Sequence, residues 1–263
     1  MTQSLIELRK KPHLSISAVK SYLQCPRKFF LQYRERARPD YVPAALVLGS
    51  AWHSAVGNWL DKAAEETELD EQLRADLRER LRRDDLPVLF DDVDEDGNRF
   101  VEHAVAMFKT FRENVRRPRM VLGTEIPFEL ALTHPDTGEV LDVPVVGAMD
   151  AVVIEEDGGG TLWELKTSRK KWSADQADLD PQVTLYRRAA RELGYDGVRL
   201  RVLVTTKGRE PQVQSIDATR SDGDEAELAE LFFEVHGGIE AGVAPRQRGW
   251  ACRSCQYAGA CRR

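Results

Sequence analysis

The hydrophobic pattern of this chain changes period near residue 120. Before that point the spacing of apolar and polar positions is helical. Residues 15–37 read as a helix, with Ser15 or Ser17 as its cap and a break near Pro26. GSAWHSAVGNWLDKAAEE (49–66) reads as a second helix, a charged stretch from about 70 to 83 as a third, and residues 99–115 as a fourth. DLPVLFDDVDEDGN (85–98) reads as a loop between them. Its acidic positions resemble a calcium loop only superficially, because the full twelve-residue ligand pattern is missing. Beyond residue 120 the alternation of strands takes over. MVLGTEIPFELAL (120–132), VLDVPVVGAMDAVVIEE (140–156), TLWELKTS (161–168), VRLRVLVTT (198–206) and PQVQSID (211–217) read as strands, with turns at HPDTGE and DGGG. One helix interrupts them, with Asp180 as cap, Pro181 at its first position and Gly194 as its stop. DGDEAELAELFFEVHGGIEAG closes the pattern as a helix. The order implies an α/β chain, with a mixed central sheet flanked by helices and a helical N-terminal part.

Composition narrows the class. A chain of 263 residues with 42% hydrophobic positions has ample material for a core. No apolar run approaches the roughly 20 residues of a membrane span, and MTQSLIELRKKP lacks the apolar segment of a secretory leader. These features predict a cytoplasmic protein with no membrane partner. The net charge of −6 argues against coating nucleic acid by bulk charge. It leaves local basic patches at 27–38, at 169–171 and at Arg187, Arg188 and Arg191. Taken singly, each patch reads as a solvated face.

The candidate chemistry lies in TLWELKTS. On a strand, Glu164 and Lys166 share one face while Trp163 and Leu165 share the other. Asp150 sits among Val, Met and Ile, where a carboxylate is costly without a partner. The DGGG connection makes 145–156 and 161–167 a hairpin. With Asp157, Gly158 and Gly159 as the loop, Asp150 stands opposite Lys166 and Val152 opposite Glu164, so the three charged residues cluster. A four-residue loop without a bulge would turn Asp150 to the other face. Two adjacent carboxylates repel, and a divalent cation with oxygen ligands, Mg²⁺ or Mn²⁺, removes that penalty. Such an ion polarises a phosphodiester, and a neighbouring lysine steadies the charge that develops.

Asp150 followed by Glu164-Leu165-Lys166 resembles the PD-(D/E)XK nuclease superfamily. Gln182 and Tyr186, in QVTLYRRAA, are similar to the QxxxY motif of its RecB-like branch, and His53 in LGSAWHSAV stands where that branch carries a metal-binding histidine. The resemblance implies a restriction-endonuclease-like core. It implies that His53, Asp150 and Glu164 hold the metal, with the Leu165 carbonyl as a further ligand, and that Lys166 is the catalytic lysine. Gln182 and Tyr186 would support the site or touch DNA. One departure is Met149, where the superfamily's naming proline would stand. Without the resemblance, His53 reads as a packed helix histidine and Gln182 with Tyr186 as an ordinary i, i+4 pair.

The chain has four cysteines: Cys25, Cys252, Cys255 and Cys261. In a reducing compartment such residues suit a metal more than disulfides, either zinc or an iron–sulfur cluster. Residue chemistry alone leans to zinc. The pattern of one cysteine before the core and three after it resembles the iron–sulfur nucleases: the CRISPR-associated adaptation nucleases, the AddB-type nuclease domains and eukaryotic helicase-nucleases. That resemblance implies a 4Fe–4S cluster joining the chain ends, and a division into a helical part (1–118, with Cys25 and His53), a nuclease core (119–220) and a C-terminal helix with the cysteine segment (221–263). Phe29, Phe30, Arg27 and Lys28 at one end, and Arg246, Arg248, Trp250 and Arg253 at the other, suit stacking and phosphate contact with single strands, though buried core packing explains the phenylalanines equally well.

The function these features imply is a metal-dependent DNA nuclease, an exonuclease on single-stranded or end-processed DNA. With no GxxxxGK[ST] in the chain, any ATP-driven unwinding falls to a partner helicase, or to a recombination or CRISPR protein. The rivals are a catalytically silent DNA-binding or complex-building protein of the same fold, and a zinc-stapled protein acting on another phosphoester.

Overall fold

The computed structural model describes residues 4–61, 65–82, 85–90 and 96–262. The N-terminal part contains α1 (Leu5–Leu8), α2 (Ile16–Gln24), α3 (Pro26–Phe29), β1 (Val42–Pro43), α4 (Ala44–Leu60), α5 (Glu66–Arg82), β2 (Val88–Leu89) and α6 (Gly97–Asn114). Ser15 caps α2 by accepting from the Ala18 amide at 3.2 Å. The expected break comes at Cys25, whose extended backbone precedes Pro26 at the first position of α3. The chain then continues through a π-helical turn, Phe30–Arg34.

Several boundaries differ from the sequence pattern: the helix expected over 49–66 ends at Leu60, and α5 starts at Glu66 rather than near 70. α4 begins at Ala44 rather than at residue 49, because Ala44, Val47 and Leu48 bury with the rest of its apolar face. The stretch expected to be a loop at 85–98 contains β2, which pairs in parallel with β1 at Val42–Val88 and Pro43–Leu89. The helix that follows starts at Gly97, its first amides capped by the Asp96 carboxylate. Residues 91–95, which hold most of the superficial calcium pattern, lie outside the described residues.

The central sheet contains β3 (Met120–Leu130), β4 (Val145–Ile154), β5 (Gly160–Ser168), β6 (Arg199–Thr206) and β7 (Val213–Ala218), in that spatial order. Within this sheet β5 and β6 pair in parallel and the other neighbours antiparallel, and the β5–β6 connection carries α7 (Ala174–Asp178) and α8 (Pro181–Glu192). A parallel pair requires such a crossover. The mixed sheet flanked by helices is the α/β architecture the period change implied. β4 starts at Val145 rather than 140. Ahead of it, Pro144 and Val146 are taken up by Leu14 of the N-terminal segment, through the bonds Leu14 N–H to Pro144 O (3.0 Å) and Val146 N–H to Leu14 O (2.8 Å).

The β4–β5 turn corrects the expected register. The Gly158 amide donates to Glu155 O at 3.0 Å, and the Glu155 amide donates to Gly159 O at 2.9 Å. Gly158 has φ +82°, the left-handed conformation that a three-residue hairpin loop of this kind places on glycine. The loop is therefore 156–158, one residue earlier than 157–159. Val152 pairs with Leu162, not Glu164, and Ala151 pairs with Trp163. Sliding the loop by one residue moves the pairing by two, which preserves the face of every side chain.

Helices cover both sides of the sheet. On one side α2, α8 and α9 (Asp222–Glu240) pack on Val145, Met149, Val152, Leu162, Val202 and Val204. On the other, α4, α5 and α6 pack on Ala151, Val153, Trp163, Leu165 and Leu203. Trp52 fixes α4 there, edge-on to Phe108 and Phe111 at ring separations of 6.0 and 5.5 Å. The C-terminal segment, ending in α10 (Ala258–Arg262), returns to the N-terminal helices. Tyr22 donates to Val243 O at 2.9 Å, the Asp40 amide to Gln256 O at 2.6 Å, and the Gly259 amide to Asp40 Oδ2 at 2.7 Å. A Cβ at Gly259 would lie 2.5 Å from Asp40 Oδ1, so the approach requires glycine. No described helix is long and apolar enough to cross a membrane.

Candidate metal centre

The site forms where the β4–β5 ladder ends. The last ladder pair toward the site is Ala151 with Trp163, and the pairing stops before Asp150 and Glu164. Asp150 caps the opening: its Oδ2 accepts from the Leu165 amide at 2.7 Å. The alternation of β4 also slips here, since Met149 and Val152, three residues apart, pack in the same core. Across the sheet, Glu125 on β3 has the left-handed φ of +47°, a costly conformation for a non-glycine residue.

Two layers converge on Asp150. From α4, His53 Nδ1 lies 3.3 Å from Asp150 Oδ1 and 3.0 Å from Glu125 Oε1. From α8, Tyr186 donates to Asp150 Oδ1 at 3.3 Å, and the Gln182 side-chain Nε2 donates to the Tyr186 hydroxyl at 2.9 Å. His53, Glu125 and Asp150 offer ligand atoms that all lie within 4.8 Å of one another. Glu125 is the member the sequence pattern missed. An acidic residue between Gly123 and Pro127, both signs of strand irregularity, was its available signal.

Glu164 stands beside this group rather than within it. It is 1% exposed, ion-paired with Lys166, and neither carboxylate oxygen has a hydrogen-bond partner of good geometry. Burial, reinforced by the charge of Asp150, pushes its pKa up to about 8 despite the attraction of Lys166. Burial works against the charge of Lys166, but Glu164 and Asp180 outweigh it and raise its pKa. Burial likewise opposes protonation of His53, yet its hydrogen bonds to Asp150 and Glu125 hold its pKa up at about 10. Tyr186 is pushed well above the usual range by burial and the nearby carboxylates, so it remains a donor. A buried carboxylate beside a histidine–diacid cluster is a donor set that could hold a hard divalent cation.

Lys166 donates to Gln182 Oε1 at 2.9 Å, which ties the lysine to the Gln182–Tyr186 pair. Asp180 caps α8 by accepting from the Gln182 amide at 2.9 Å. The nearly buried Arg220 holds the preceding turn, donating to Thr184 Oγ1 at 2.8 Å and Ala177 O at 2.6 Å.

The four cysteines are free thiols and line one cavity of about 370 Å³, together with Lys28, Leu31, Arg246, Arg248 and Arg262. Among the described residues, no three of their sulfurs come within 4.8 Å of one another. Trp250, beside the cavity, is 82% exposed.

A mixed sheet whose strands bring together a lysine and buried carboxylates, with a histidine from the helical layer, is the arrangement the nuclease resemblance implied. The chain belongs to the PD-(D/E)XK nuclease superfamily, whose family model matches residues 13–262. Among solved structures, one described as "Putative exonuclease" from Eubacterium rectale is similar in fold, with a TM-score of 0.58 and 16% identity over 97% of this chain and 90% of that one. A second, of SSO0001, aligns over 98% of this chain and 91% of that one at a TM-score of 0.42 and 15% identity, too low to carry an argument. No curated protein matches the chain significantly.

Proposed function

We propose that this protein is a Mg²⁺- or Mn²⁺-dependent deoxyribonuclease, acting as an exonuclease on single-stranded or end-processed DNA. The observation that carries the metal-dependent reading is Glu164: a fully buried carboxylate whose one charged partner is Lys166, next to Asp150, in a site that already gathers His53 and Glu125. His53, Asp150 and Glu164 would hold the ion, with Glu125 beside them and the Leu165 carbonyl on the strand edge that its amide shares with Asp150. A bound divalent ion would supply charge neutralisation, polarisation of the phosphodiester and a lowered pKa for attacking water. The chain's own groups then orient the reaction. Lys166, held by Gln182, presents its ammonium to the charge that builds on the phosphate. The Gln182–Tyr186–Asp150 relay of hydrogen bonds keeps Asp150 aimed into the site. The exonuclease reading and the DNA substrate rest on the family and on the similarity to the "Putative exonuclease" of Eubacterium rectale.

The four cysteines are proposed to hold a 4Fe–4S cluster that fastens the C-terminal segment to α2 and α3. Their shared cavity and its Lys28, Arg246, Arg248 and Arg262 lining support this reading, since cations balance the charge of a thiolate-bound cluster. One zinc ion would draw its four thiolates to about 3.8 Å from each other, whereas no three of these sulfurs lie together within 4.8 Å. A four-iron cluster is wider and spreads them further apart.

The test is digestion of end-labelled single- and double-stranded DNA with Mg²⁺ or Mn²⁺, with circular and end-blocked controls, comparing wild type with Lys166→Ala. The proposal requires metal-dependent cleavage of free ends by wild type alone. Cleavage that survives Lys166→Ala, or that needs no metal, overturns it. Anaerobically purified protein is expected to be brown, with absorption near roughly 400 nm; colourless protein containing zinc overturns the cluster assignment.

A further inference from the structure

Lys20, on α2, takes no part in the chemistry described so far, yet it reaches the same site. Its Nζ lies 2.5 Å from Asp180 Oδ1 and 3.4 Å from Gln182 Oε1, the oxygen that also accepts from Lys166 at 2.9 Å. Two ammonium groups from different elements thus meet on one carbonyl oxygen. The Lys20 side chain is 36% exposed and that of Lys166 21%, so Lys20 stands on the outer side of the pair.

A simple pin between α2 and α8 accounts for the Asp180 contact but not for the second. Placing one cation beside another is unfavourable, and burial adds to the cost. Asp180 offsets part of it. Asp180 is already engaged as the cap of α8. A phosphodiester oxygen arriving from solvent would meet the outward cation first and relieve the repulsion between the two lysines.

We infer that Lys20 is a substrate-binding cation, contacting a backbone phosphate of the bound strand just outside the phosphate that Lys166 faces. This rests on the nuclease reading for the identity of the ligand, but the contact itself can be measured without cleavage. Lys20 binds charge rather than a base, so its contribution is independent of sequence and sensitive to salt.

The experiment measures binding of a fluorescent single-stranded oligonucleotide by anisotropy in Ca²⁺ over a salt series, and steady-state cleavage of the same strand in Mg²⁺. Wild type is compared with Lys20→Gln and Lys20→Arg. Lys20→Gln removes the charge and keeps an N–H donor on α2, one bond shorter than the ammonium, while Lys20→Arg keeps the charge and the reach to Asp180. Lys20→Gln is expected to weaken binding about tenfold at low salt and to flatten the slope of log affinity against log salt by about 0.7. KM should rise while kcat changes less, and Lys20→Arg should restore most of the slope. The Mn²⁺-induced rise in Tm should equal that of wild type. A wild-type salt slope in folded Lys20→Gln overturns the inference, as does loss of the Mn²⁺ effect, which would make Lys20 a structural support of the metal site. If wild type binds the strand without cutting it while Lys20→Gln loses the slope, the phosphate contact stands and the nuclease reading falls.

Discussion

The Glu164→Gln substitution should make the metal-free protein more stable. An acid whose folded pKa lies above its unfolded value destabilises the native state progressively as pH rises between the two. For Glu164 the window runs from 4.5 to about 8. Glutamine imitates the protonated carboxyl and leaves Lys166 its second partner, Gln182 Oε1 at 2.9 Å. The full shift corresponds to a gain on the order of 4 kcal/mol at about pH 8, shrinking to under about 1 kcal/mol at about pH 5. At about 2–4 °C per kcal/mol for a chain near this size, Tm should rise by roughly 8–16 °C at the higher pH and by only a few degrees at the lower. The assay is thermal unfolding by circular dichroism in EDTA, at both pH values, for wild type and variant. Adding Mn²⁺ should then raise the Tm of wild type and leave that of the variant nearly unchanged. A variant no more stable than wild type at the higher pH refutes the reasoning. So does a stability gap of equal size at both pH values, because the gain must follow the titration of one buried carboxyl.

Metal binding should release protons, because His53, held protonated up to about 10, and Glu164, up to about 8, must both give up a proton to become ligands. Titration calorimetry of Mn²⁺ near neutral pH, in buffers of different ionisation enthalpy, should show between roughly one and two protons released per ion; zero release contradicts the ligand set. Affinity should therefore climb with pH across the neutral range, and an affinity that is flat or falls there points to different ligands. Arg220→Ala should cost about 2–4 kcal/mol, since Thr184 Oγ1 and Ala177 O lose a charged donor in a buried turn. Urea unfolding reads this directly, and a midpoint equal to that of wild type rejects the role given to the guanidinium.

Much of the candidate site was legible because a strand has a period of two. Glu164 and Lys166 had to share a face, with Trp163 and Leu165 opposite, and the structure puts both of the latter in the second core. The hairpin loop was misplaced by one residue, but that error moves pairing by two and leaves the face intact. Glycine alone fixes the true loop, since Gly158 rather than Gly159 adopts the left-handed conformation. Cap chemistry located α8, through Asp180 and Pro181, because it is local. Glu125 was not legible, as its place depends on β3 lying against β4 and on a backbone irregularity that only the assembled sheet imposes. Lys20 was hidden for a similar reason: the face that α2 turns to α8 is set by packing, not by the local pattern. The β1–β2 pair was missed because two residues per strand leave no alternation to read.

The central claim is that a divalent ion sits among these carboxylates and the histidine. An anomalous difference map from crystals grown with Mn²⁺ tests it most directly. The account predicts a peak bounded by His53, Asp150 and Glu164, with Glu164 drawn away from Lys166 and ligand distances of roughly 2.0–2.3 Å. A map with no peak there, or with Glu164 still paired to Lys166 and the ion bound elsewhere, would contradict it.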